Sequence, residues 1–557
     1  MRHAHLRDPQ LALVTTRSAV DAGSRDAARD RYRACPRAAR STRRLRPSPA
    51  HLAEGAPPEA PSLSGAERTD RRWTYRRLLA EAEQCAHWLL TRFSPGERIT
   101  VWAPNIPEWI ILQYGAALAG LVVVTANPAL RAAELRYVLH QSRSSGLFHT
   151  AAFRGGDMTA IARDATRGLP GLRATVCFTD WQTTIRAHQG SGPLPEVRPG
   201  EAAQLQYTSG TTGFPKGALL HHRGLVTNAK FAIDRAQLPE RGTLVSAAPL
   251  FHTAGCAMGV LGSAHRRASY VLCQFFDPAL VLAAAQDHRA DMLGGVPTML
   301  IALLEHPGFE RFDLSHLSRV LSGGSPIPPE LVRRVEDRFG ARFSAVYGQT
   351  ELSPVITQTS PDDSPEDKTA TAGRPLPRVE VAVRDPWTGD IVPVGQPGEI
   401  CARGYQAMLG YFELPERTAE TIDPAGWVRT GDLGRLDERG YLTVVGRLKD
   451  VIIRGGENIY AADVEQVLST HPKVRDIAVI GLPDPLWGEI VVAVLVPAEP
   501  GQPPTATELH DFCRARLAPH KTPVRWLRTA ELPLTDSGKV RKHLLREQAG
   551  HAGLQEL

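Results

Sequence analysis

The 557-residue chain is poor in residues that build covalent or metal-based cross-links. It has seven cysteines, and no two of them form a Cys-x-x-Cys pair. A disulfide framework and a zinc site are therefore not expected, and a reducing cytosol fits this composition. With 42% hydrophobic and 22% charged residues, and only 48 glycines and 44 prolines, the chain is neither low-complexity nor disordered as a whole. Its length predicts several folding units.

Long hydrophobic runs are also scarce, and one stretch alone imitates a membrane span. Residues 109–126 carry no charge, but their character changes at Gly120. The part before Gly120 is rich in alanine and leucine, and the part after it is rich in valine. This pattern predicts a helix, a glycine C-cap and a buried strand, and no transmembrane segment. Peripheral contact with a membrane surface stays compatible with the sequence.

Lysine is the scarcest charged residue, with eight copies among 65 lysines and arginines. Because arginine serves wherever any cation suffices, a lysine that remains is a mild sign that the compact ammonium is needed. Chance explains about half of the eight. Three of them, Lys216, Lys449 and Lys539, lie in the motifs described below.

The net charge of +6 comes from the beginning of the chain. Residues 1–50 contain twelve arginines and four aspartates, so the remaining residues are close to neutral. A pI of 9.0 is therefore no argument for a nucleic-acid partner. We expect residues 1–64 to be a disordered, Arg-rich extension. An organellar transit peptide is the alternative, and the four aspartates argue against it.

From Trp73 onward, helical and strand patterns alternate, which is typical of doubly wound α/β sheets. Among the expected elements are helices at 73–92, 109–118 and 132–141 and strands at 98–102, 121–125 and 145–149. Short strands among glycines and prolines at 379–383, 399–402 and 441–445 predict a small β-rich subdomain. The last hundred residues predict a compact α+β unit. The expected fold is thus a large N-terminal α/β domain at 65–447 and a small, mobile C-terminal domain at 448–557.

Residues 207–217 (YTSGTTGFPKG) have the composition of a polyphosphate loop. They follow a short apolar segment and combine four serine and threonine hydroxyls, three glycines and one lysine. Glycines let backbone N–H groups approach phosphate, hydroxyls donate hydrogen bonds, and the lysine neutralises charge. The loop is not a Walker A motif, because Pro215 precedes Lys216 and a glycine follows it.

This loop resembles the signature of the adenylate-forming superfamily, which includes acyl-CoA synthetases, luciferases and peptide-synthetase adenylation domains. Five further segments resemble the family's motifs, in the family's order. They are 347–351 (YGQTE), 427–432 (WVRTGD), 446–450 (GRLKD), 454–460 (RGGENIY) and 537–539 (SGK). Within the family, the chain is most similar to medium-chain fatty acyl-CoA synthetases.

The resemblance implies a role for each motif residue. The phosphates of ATP would be held by Thr208, Ser209, Gly210, Thr211, Thr212, Gly213, Phe214, Pro215 and Lys216. The adenosine would be held by Gly324, Ser325, Tyr347, Gly348, Gln349, Thr350, Asp432 and Arg447. Mg²⁺ would be held by Glu351 and Thr208, and the pantetheine of coenzyme A would pass Gly455 and Gly456. Lys539 would stabilise charge during adenylation, His252 would sit at the acyl carboxylate, and Lys449 would be the hinge between the two domains.

The resemblance further implies an ATP-dependent ligase that forms acyl-AMP and transfers the acyl group to coenzyme A. Peptide-synthetase domains carry an aspartate soon after the residue matching Phe251, and residues 252–255 offer none, so amino acids are disfavoured. The small residues 255, 257, 259, 294 and 295, with Met258 and Val296, would line an apolar acyl tunnel. Three alternatives stay open: transfer to a carrier protein's phosphopantetheine, an aryl or other acid as substrate, and a non-catalytic binding module.

Overall fold

The computed structural model describes residues 71–208, 215–455, 457–534, 540–550 and 554–557. The head, 1–64, lies outside these ranges. So do the predicted site residues Ser209, Gly210, Thr211, Thr212, Gly213, Phe214, Gly456 and Lys539.

Strands form most of the framework. In chain order they are β1 (Arg98–Trp102), β2 (Val122–Ala126), β3 (Ser144–His149), β4 (Ala152–Phe153), β5 (Gly156–Asp157), β6 (Ala174–Cys177), β7 (Ala202–Thr208), β8 (Lys216–His221), β9 (Thr243–Ser246), β10 (Ser269–Leu272), β11 (Met292–Gly295), β12 (Arg319–Gly323) and β13 (Arg342–Gly348). They continue with β14 (Val355–Gln358), β15 (Arg374–Pro375), β16 (Val379–Arg384), β17 (Gly398–Gly404), β18 (Gly410–Tyr411), β19 (Val428–Leu436), β20 (Leu442–Arg447), β21 (Val451–Arg454), β22 (Glu457–Tyr460), β23 (Val474–Asp484), β24 (Gly488–Pro497), β25 (Arg525–Arg528) and β26 (Gln555–Glu556).

Helices cover the sheets. They are α1 (Tyr75–Leu90), α2 (Pro107–Leu118), α3 (Ala132–Gln141), α4 (Met158–Thr166), α5 (Trp181–Thr184), α6 (His222–Arg235), α7 (Gly262–His265), α8 (Pro278–Asp287), α9 (Pro297–Leu304), α10 (Pro329–Phe339), α11 (Pro365–Ala370), α12 (Pro415–Thr421), α13 (Ala461–Leu468), α14 (Ala506–Arg514) and α15 (Lys542–Gly550). Residues Ala254–Leu261 form a π-helix, which enters α7 directly.

The charge-free stretch 109–126 folds as the sequence predicts. Helix α2 ends at Leu118, Gly120 takes the left-handed conformation (φ +70°), and β2 follows with all five residues buried. Such a φ favours glycine, because a Cβ would clash with the backbone. Within the described ranges, no helix is both long enough and apolar enough to cross a membrane.

Two seven-stranded sheets make up the large α/β part. The first has the order β18-β8-β7-β2-β1-β3-β6 and the second β10-β9-β11-β12-β13-β14-β15, each with a parallel centre and antiparallel strands at one edge. The phosphate motif leaves β7, and the loop at Gly324 and the motif at Tyr347 leave β12 and β13. All three therefore lie at carboxyl ends of strands, where open α/β sheets bind ligands.

Two smaller sheets complete the fold. The four-stranded antiparallel sheet β16-β17-β19-β20 is the expected β-rich subdomain and carries the third and fourth motifs. The C-terminal sheet has the order β22-β21-β24-β25-β26, with β23 paired to β24, and packs against α13 and α14 over its own hydrophobic core. The predicted architecture is confirmed: a large α/β part, a β-rich subdomain and a C-terminal α+β unit.

Candidate active site

Asp432 lies at the centre of the polar cluster on the β-rich sheet. It stands opposite Arg447 in the β19–β20 ladder, and Arg447 Nε lies 3.1 Å from Asp432 Oδ1. The Tyr347 hydroxyl donates to Asp432 Oδ2 at 3.0 Å. Burial, and then the Asp432 charge, hold the pKa of Tyr347 well above its usual value, so the hydroxyl stays a donor. The structure thus joins the second, third and fourth motifs.

The turn before Asp432 is fixed by Glu399, which sequence reasoning missed. This carboxylate is 3% exposed and accepts hydrogen bonds from Arg429 Nε at 2.9 Å and from the Gly431 N–H at 3.1 Å. The bond to Glu399 is the main reason why the pKa of Arg429 is raised. Glu399 therefore orients the backbone of the third motif. The sequence signal that could have identified Glu399 was an acidic residue within the otherwise apolar, buried first half of β17.

The segment 347–351 links this cluster to the phosphate motif. Gly348 crosses the neighbouring strand so closely that a Cβ would lie 1.9 Å from the carbonyl oxygen of Pro354. Gln349 donates its N–H to the same oxygen at 2.9 Å, and Thr350 opens the 3-10 turn that follows. A glycine is required because any side chain would collide with that backbone.

Glu351 forms the second end of the segment. It is 8% exposed, and its Oε1 accepts a 2.7 Å hydrogen bond from the hydroxyl of Tyr411. The ring of Tyr411 contacts Lys216, whose Nζ lies 4.5 Å from the ring centroid. The predicted residues Glu351 and Lys216 are therefore brought together through Tyr411, a residue that sequence reasoning did not identify.

Strands β7 and β8 bring the two ends of the phosphate motif together. Thr208 stands opposite Lys216 in the antiparallel ladder, and its hydroxyl donates to the Lys216 carbonyl at 3.4 Å. The carbonyl of Pro215 accepts a 2.9 Å hydrogen bond from the hydroxyl of Tyr137. These contacts hold both ends of the loop.

Gly324 and Ser325 follow the end of β12. Gly324 is exposed with φ +86°, and Ser325 is half-buried. A Cβ on the preceding Gly323 would lie 2.3 Å from the Val346 carbonyl oxygen, so this loop passes close to the strand that leads into Tyr347. The two predicted adenine-side segments are thus neighbours.

His252 is exposed and lies just before the π-helix, with its Nδ1 accepting the Ala254 N–H at 3.2 Å. The π-helix is a further feature that the sequence did not predict. Such helices are rare and occur frequently at functional sites. Its Cys256 carbonyl accepts a 3.0 Å hydrogen bond from buried Gln113 on α2.

Two of the glycines expected to line an acyl tunnel are also required by packing. A Cβ on Gly255 would lie 2.4 Å from the Pro249 carbonyl oxygen, and one on Gly259 would lie 2.6 Å from the Tyr270 hydroxyl. By contrast, a Cβ on Gly294 would meet its nearest neighbour, Ser246 Oγ, at an ordinary 3.5 Å. A methyl group is therefore accommodated at Gly294 but not at the first two positions.

Lys449 lies in the 3-10 turn Leu448–Asp450, between the β-rich sheet and the C-terminal sheet. Partial burial of the ammonium, together with the positive charge of Arg447, lowers its pKa to about 8. The adjacent Asp450 is bound by Arg546 of α15 at 2.9 Å. The residue after the predicted hinge is thus tied to the C-terminal helix.

Gly455 forms the turn between β21 and β22 with φ +59°. Its N–H donates to the Trp487 carbonyl at 2.8 Å, and a Cβ here would lie 2.9 Å from Trp487 Cε3. Both the backbone conformation and the indole ring therefore require glycine at this position.

The donor set fits magnesium bound together with a polyphosphate. Among the described residues, no cluster of three or more His, Cys, Asp or Glu side chains could enclose a metal. Glu351 is a single, nearly buried carboxylate, and Tyr411, its hydrogen-bond donor, also contacts Lys216. Mg²⁺ prefers such an arrangement, with one or two carboxylates and the other ligands supplied by phosphate and water.

Comparison with protein families places both parts of the chain. The model of the AMP-binding enzyme family matches residues 51–412, and that of the AMP-binding enzyme C-terminal domain matches residues 463–539. Among curated proteins, the putative acyl-CoA synthetase YngI of Bacillus subtilis (strain 168) is 37% identical over 86% of this chain and 92% of its own length. The mitochondrial medium-chain acyl-CoA ligase ACSF2 of Bos taurus is 35% identical over 86% and 83% of the two chains.

Solved structures agree with this placement. The ATP-bound MatB of Rhodopseudomonas palustris superposes with a TM-score of 0.78 at 30% identity, covering 86% of this chain and 94% of that one. A fatty acyl CoA synthetase of Mycobacterium tuberculosis gives 0.70 at 31% identity, covering 87% and 94%.

Proposed function

The chain belongs to the family of AMP-binding enzymes and is an AMP-forming acid–coenzyme A ligase, and we propose that its acid is a medium-chain fatty acid. Support for the acid comes from the medium-chain ligases among its relatives. The absence of an acidic residue in the segment 252–255 argues against an amino acid.

The observation that best supports this function is the continuity of the candidate site. Segment 347–351 carries Tyr347, bonded to Asp432, at one end and Glu351, bonded to Tyr411, at the other. A nucleoside triphosphate needs this combination: hydrogen-bond acceptors for ribose hydroxyls at one end, and cationic and metal-binding groups for phosphates at the other.

We propose the following roles for the chain's own residues. Asp432 accepts hydrogen bonds from the ribose hydroxyls while Arg447 and Tyr347 hold its orientation. Lys216 neutralises phosphate charge, and Glu351 with Thr208 holds Mg²⁺. The metal, when bound, would supply Lewis-acid stabilisation of the phosphate charge.

The remaining roles concern acyl transfer. His252, exposed before the π-helix, is proposed to contact the acyl carboxylate. Lys539 is proposed to stabilise the charge that develops during adenylation, and Gly455 and Gly456 to line the path of the CoA thiol. Lys449 is the proposed hinge, because it lies in the turn that connects two separate sheets. With these roles, the enzyme would first convert the acid and ATP into acyl-AMP and pyrophosphate. It would then transfer the acyl group to CoA and release AMP.

The cellular setting is proposed to be the cytoplasm. All six cysteines in the described part of the chain are free, which suits a reducing compartment. The ACSF2 relatives are mitochondrial by name, so fractionation of cells expressing the full chain decides between the two places.

A panel of carboxylic acids tests the proposal directly. The purified enzyme is incubated with ATP, Mg²⁺ and CoA, and the thioester products are identified by mass. We expect acyl-CoA from medium-chain fatty acids and little from amino acids. A preference for aryl acids, or acyl transfer to a holo-carrier protein in place of CoA, would overturn the proposed substrate or acceptor.

A further inference from the structure

Tyr411 occupies a position that the reaction described above does not use. It ends the two-residue strand β18, is 7% exposed and pairs with Ala218 of β8. Its N–H donates to the Thr418 hydroxyl at 2.9 Å, and its carbonyl accepts the Leu414 N–H at 3.1 Å. The backbone is therefore fixed on both sides, so the ring is presented in a defined orientation.

The two ends of the Tyr411 side chain contact groups of opposite charge. The hydroxyl donates to Glu351 Oε1 at 2.7 Å, and the ring lies 4.5 Å from Lys216 Nζ. Burial, with the Glu351 charge as second cause, raises the pKa of Tyr411, so the hydroxyl remains protonated and keeps donating. The ring attracts the ammonium through its negative face. One residue thus satisfies a carboxylate and a cation at the same time.

Lys216 and Glu351 contact the same tyrosine side chain, and an ammonium and a carboxylate that share a neighbour attract each other. A direct Lys216–Glu351 ion pair would cancel both charges, leaving neither for a phosphate or a cation. In the described structure no such pair forms: Lys216 contacts the ring, and Glu351 contacts the hydroxyl.

We propose that Tyr411 is a positioning residue that keeps Lys216 and Glu351 apart, so that the lysine stays available to the ATP phosphates and the glutamate to the divalent cation. This inference rests on the proposed ATP-binding roles of Lys216 and Glu351. It goes beyond them by assigning a residue that acts on both groups without touching the substrate.

The test measures ATP binding by calorimetry without any acid substrate, once with Mg²⁺ and once with EDTA. Tyr411→Phe keeps the ring and loses the hydroxyl. We expect ATP affinity in EDTA to stay within about twofold of wild type and affinity with Mg²⁺ to fall about tenfold, the typical effect of one hydrogen bond to a charged group. Tyr405→Phe is the matched control, since this half-buried tyrosine packs on Phe231 and should bind ATP as wild type does in both conditions.

A second pair of variants tests the separation itself. Tyr411→Leu removes ring and hydroxyl, so Lys216 is expected to pair with Glu351 and ATP affinity in EDTA to fall about tenfold. Adding Glu351→Gln removes the competing carboxylate and should restore ATP affinity in EDTA. A merely structural tyrosine would give no such restoration.

Two results would overturn the inference: Tyr411→Phe binding Mg²⁺–ATP as tightly as wild type, or the Leu–Gln double variant binding ATP as weakly as Tyr411→Leu alone. Melting temperatures show whether each variant folds. If the variants that carry Tyr411→Leu do not fold, the Mg²⁺–ATP affinity of Tyr411→Phe alone decides whether the inference holds. If the wild-type protein binds ATP but makes no acyl-CoA, the proposed function is wrong. The role of Tyr411 can still be tested in that case, because these variants are compared by ATP binding alone.

Discussion

Asp432 uses both carboxylate oxygens within the protein and still has lone pairs for a ligand. We predict that Asp432→Asn lowers the rate of ATP–pyrophosphate exchange about 100-fold, because an amide has one acceptor oxygen and no charge to oppose Arg447. Glu438→Gln, on the exposed turn of the same hairpin, is the control and should react as wild type does. An active Asp432→Asn enzyme with unchanged ATP affinity would remove this residue from the nucleotide site.

Lys449 provides a prediction about pH. Its pKa of about 8 lies below the ordinary value for lysine, so folding penalises the charged form. Below pH 8 the lysine is protonated in both the folded and the unfolded chain, so the whole penalty is present. As the pH rises from about 8 toward the ordinary lysine pKa, the folded chain loses its proton while the unfolded chain keeps it, and the penalty disappears. We expect the Lys449 side-chain NMR resonance to titrate near pH 8, and Lys449→Met to stabilise the fold slightly at pH 7 and not near pH 10.

The assignment of the NMR resonance to Lys449 and the cause of its lowered pKa can be checked separately. With only eight lysines, the resonance is identified by its loss in Lys449→Met. Arg447→Met removes the charge that contributes most after burial, so the midpoint should rise. A midpoint that stays near 10 in the wild type would show that the ammonium is fully solvated.

Single lysines illustrate what sequence alone can decide. Their scarcity and the motifs together pointed to Lys216, Lys449 and Lys539. In the described chain, which does not include Lys539, neither of the other two forms an ion pair with a carboxylate. Five others do: Lys230, Lys368, Lys473, Lys521 and Lys542. Membership of a motif, and not the count alone, separated the two groups. It could not reveal Tyr411 or Glu399, because their roles depend on partners 60 and 32 residues away.

At the scale of elements, two explanations of the predicted tunnel glycines can be tested, one with Gly255 of the π-helix and one with Gly294 of β11. We predict that Gly255→Ala lowers the free energy of unfolding by about 1–3 kcal/mol, because its Cβ would press against a carbonyl oxygen. Gly294→Ala should keep the melting temperature and, if the acyl chain passes this strand, shift the preference toward shorter acids. Melting curves and the acid panel measure both effects.

A stable Gly255→Ala protein would contradict the packing explanation. An unchanged acid preference in Gly294→Ala would place the acyl chain elsewhere. Both variants add the same methyl group. A difference between their effects is therefore due to the surroundings of each glycine and not to the type of substitution.

Elements with strong periodicity were predicted nearly to the residue. Strand β1 and helix α3 have the expected bounds, and α2 begins two residues earlier than expected, at Pro107. The π-helix and the two-residue strand β18 could not be predicted, since neither has a periodic pattern. Both depend on tertiary contacts: the Gln113 bond to Cys256 in the first case and pairing with β8 in the second.

At the scale of the whole molecule, the order of the motifs along the chain was evident from the sequence, but their proximity in the fold was not. Residues 347–351, 427–432 and 446–450 meet because the carboxyl end of β13 in one sheet contacts the β19–β20 hairpin of another. No local pattern encodes that contact. The resemblance to a family supplied it, and the physical reading of residues alone would have left a phosphate loop with no nucleoside site.

The Arg-rich head should be dispensable. A chain that starts at Ser62 loses all twelve arginines of the first fifty residues. Because the head has little apolar surface to bury, we predict unchanged melting temperature and acyl-CoA synthesis. Weaker retention on a cation exchanger is expected as well, since the remaining residues are close to neutral. Insoluble or inactive truncated protein would show that the head packs on the body.

Lys539 provides a test of the proposal that the C-terminal unit moves about the Lys449 hinge between acyl-AMP formation and thioester formation. We predict that Lys539→Ala abolishes acyl-AMP formation yet keeps thioester formation from acyl-AMP supplied ready-made, because the ammonium is needed only where charge develops on the phosphate. Lost electrostatic contacts of this type cost about 10²–10³-fold in rate. Lys473→Ala, which removes a half-exposed lysine paired with Glu508, is the control and should leave both half-reactions intact. Equal loss of both half-reactions in Lys539→Ala would mean that the lysine supports the fold or both steps, and the assignment to adenylation would fail.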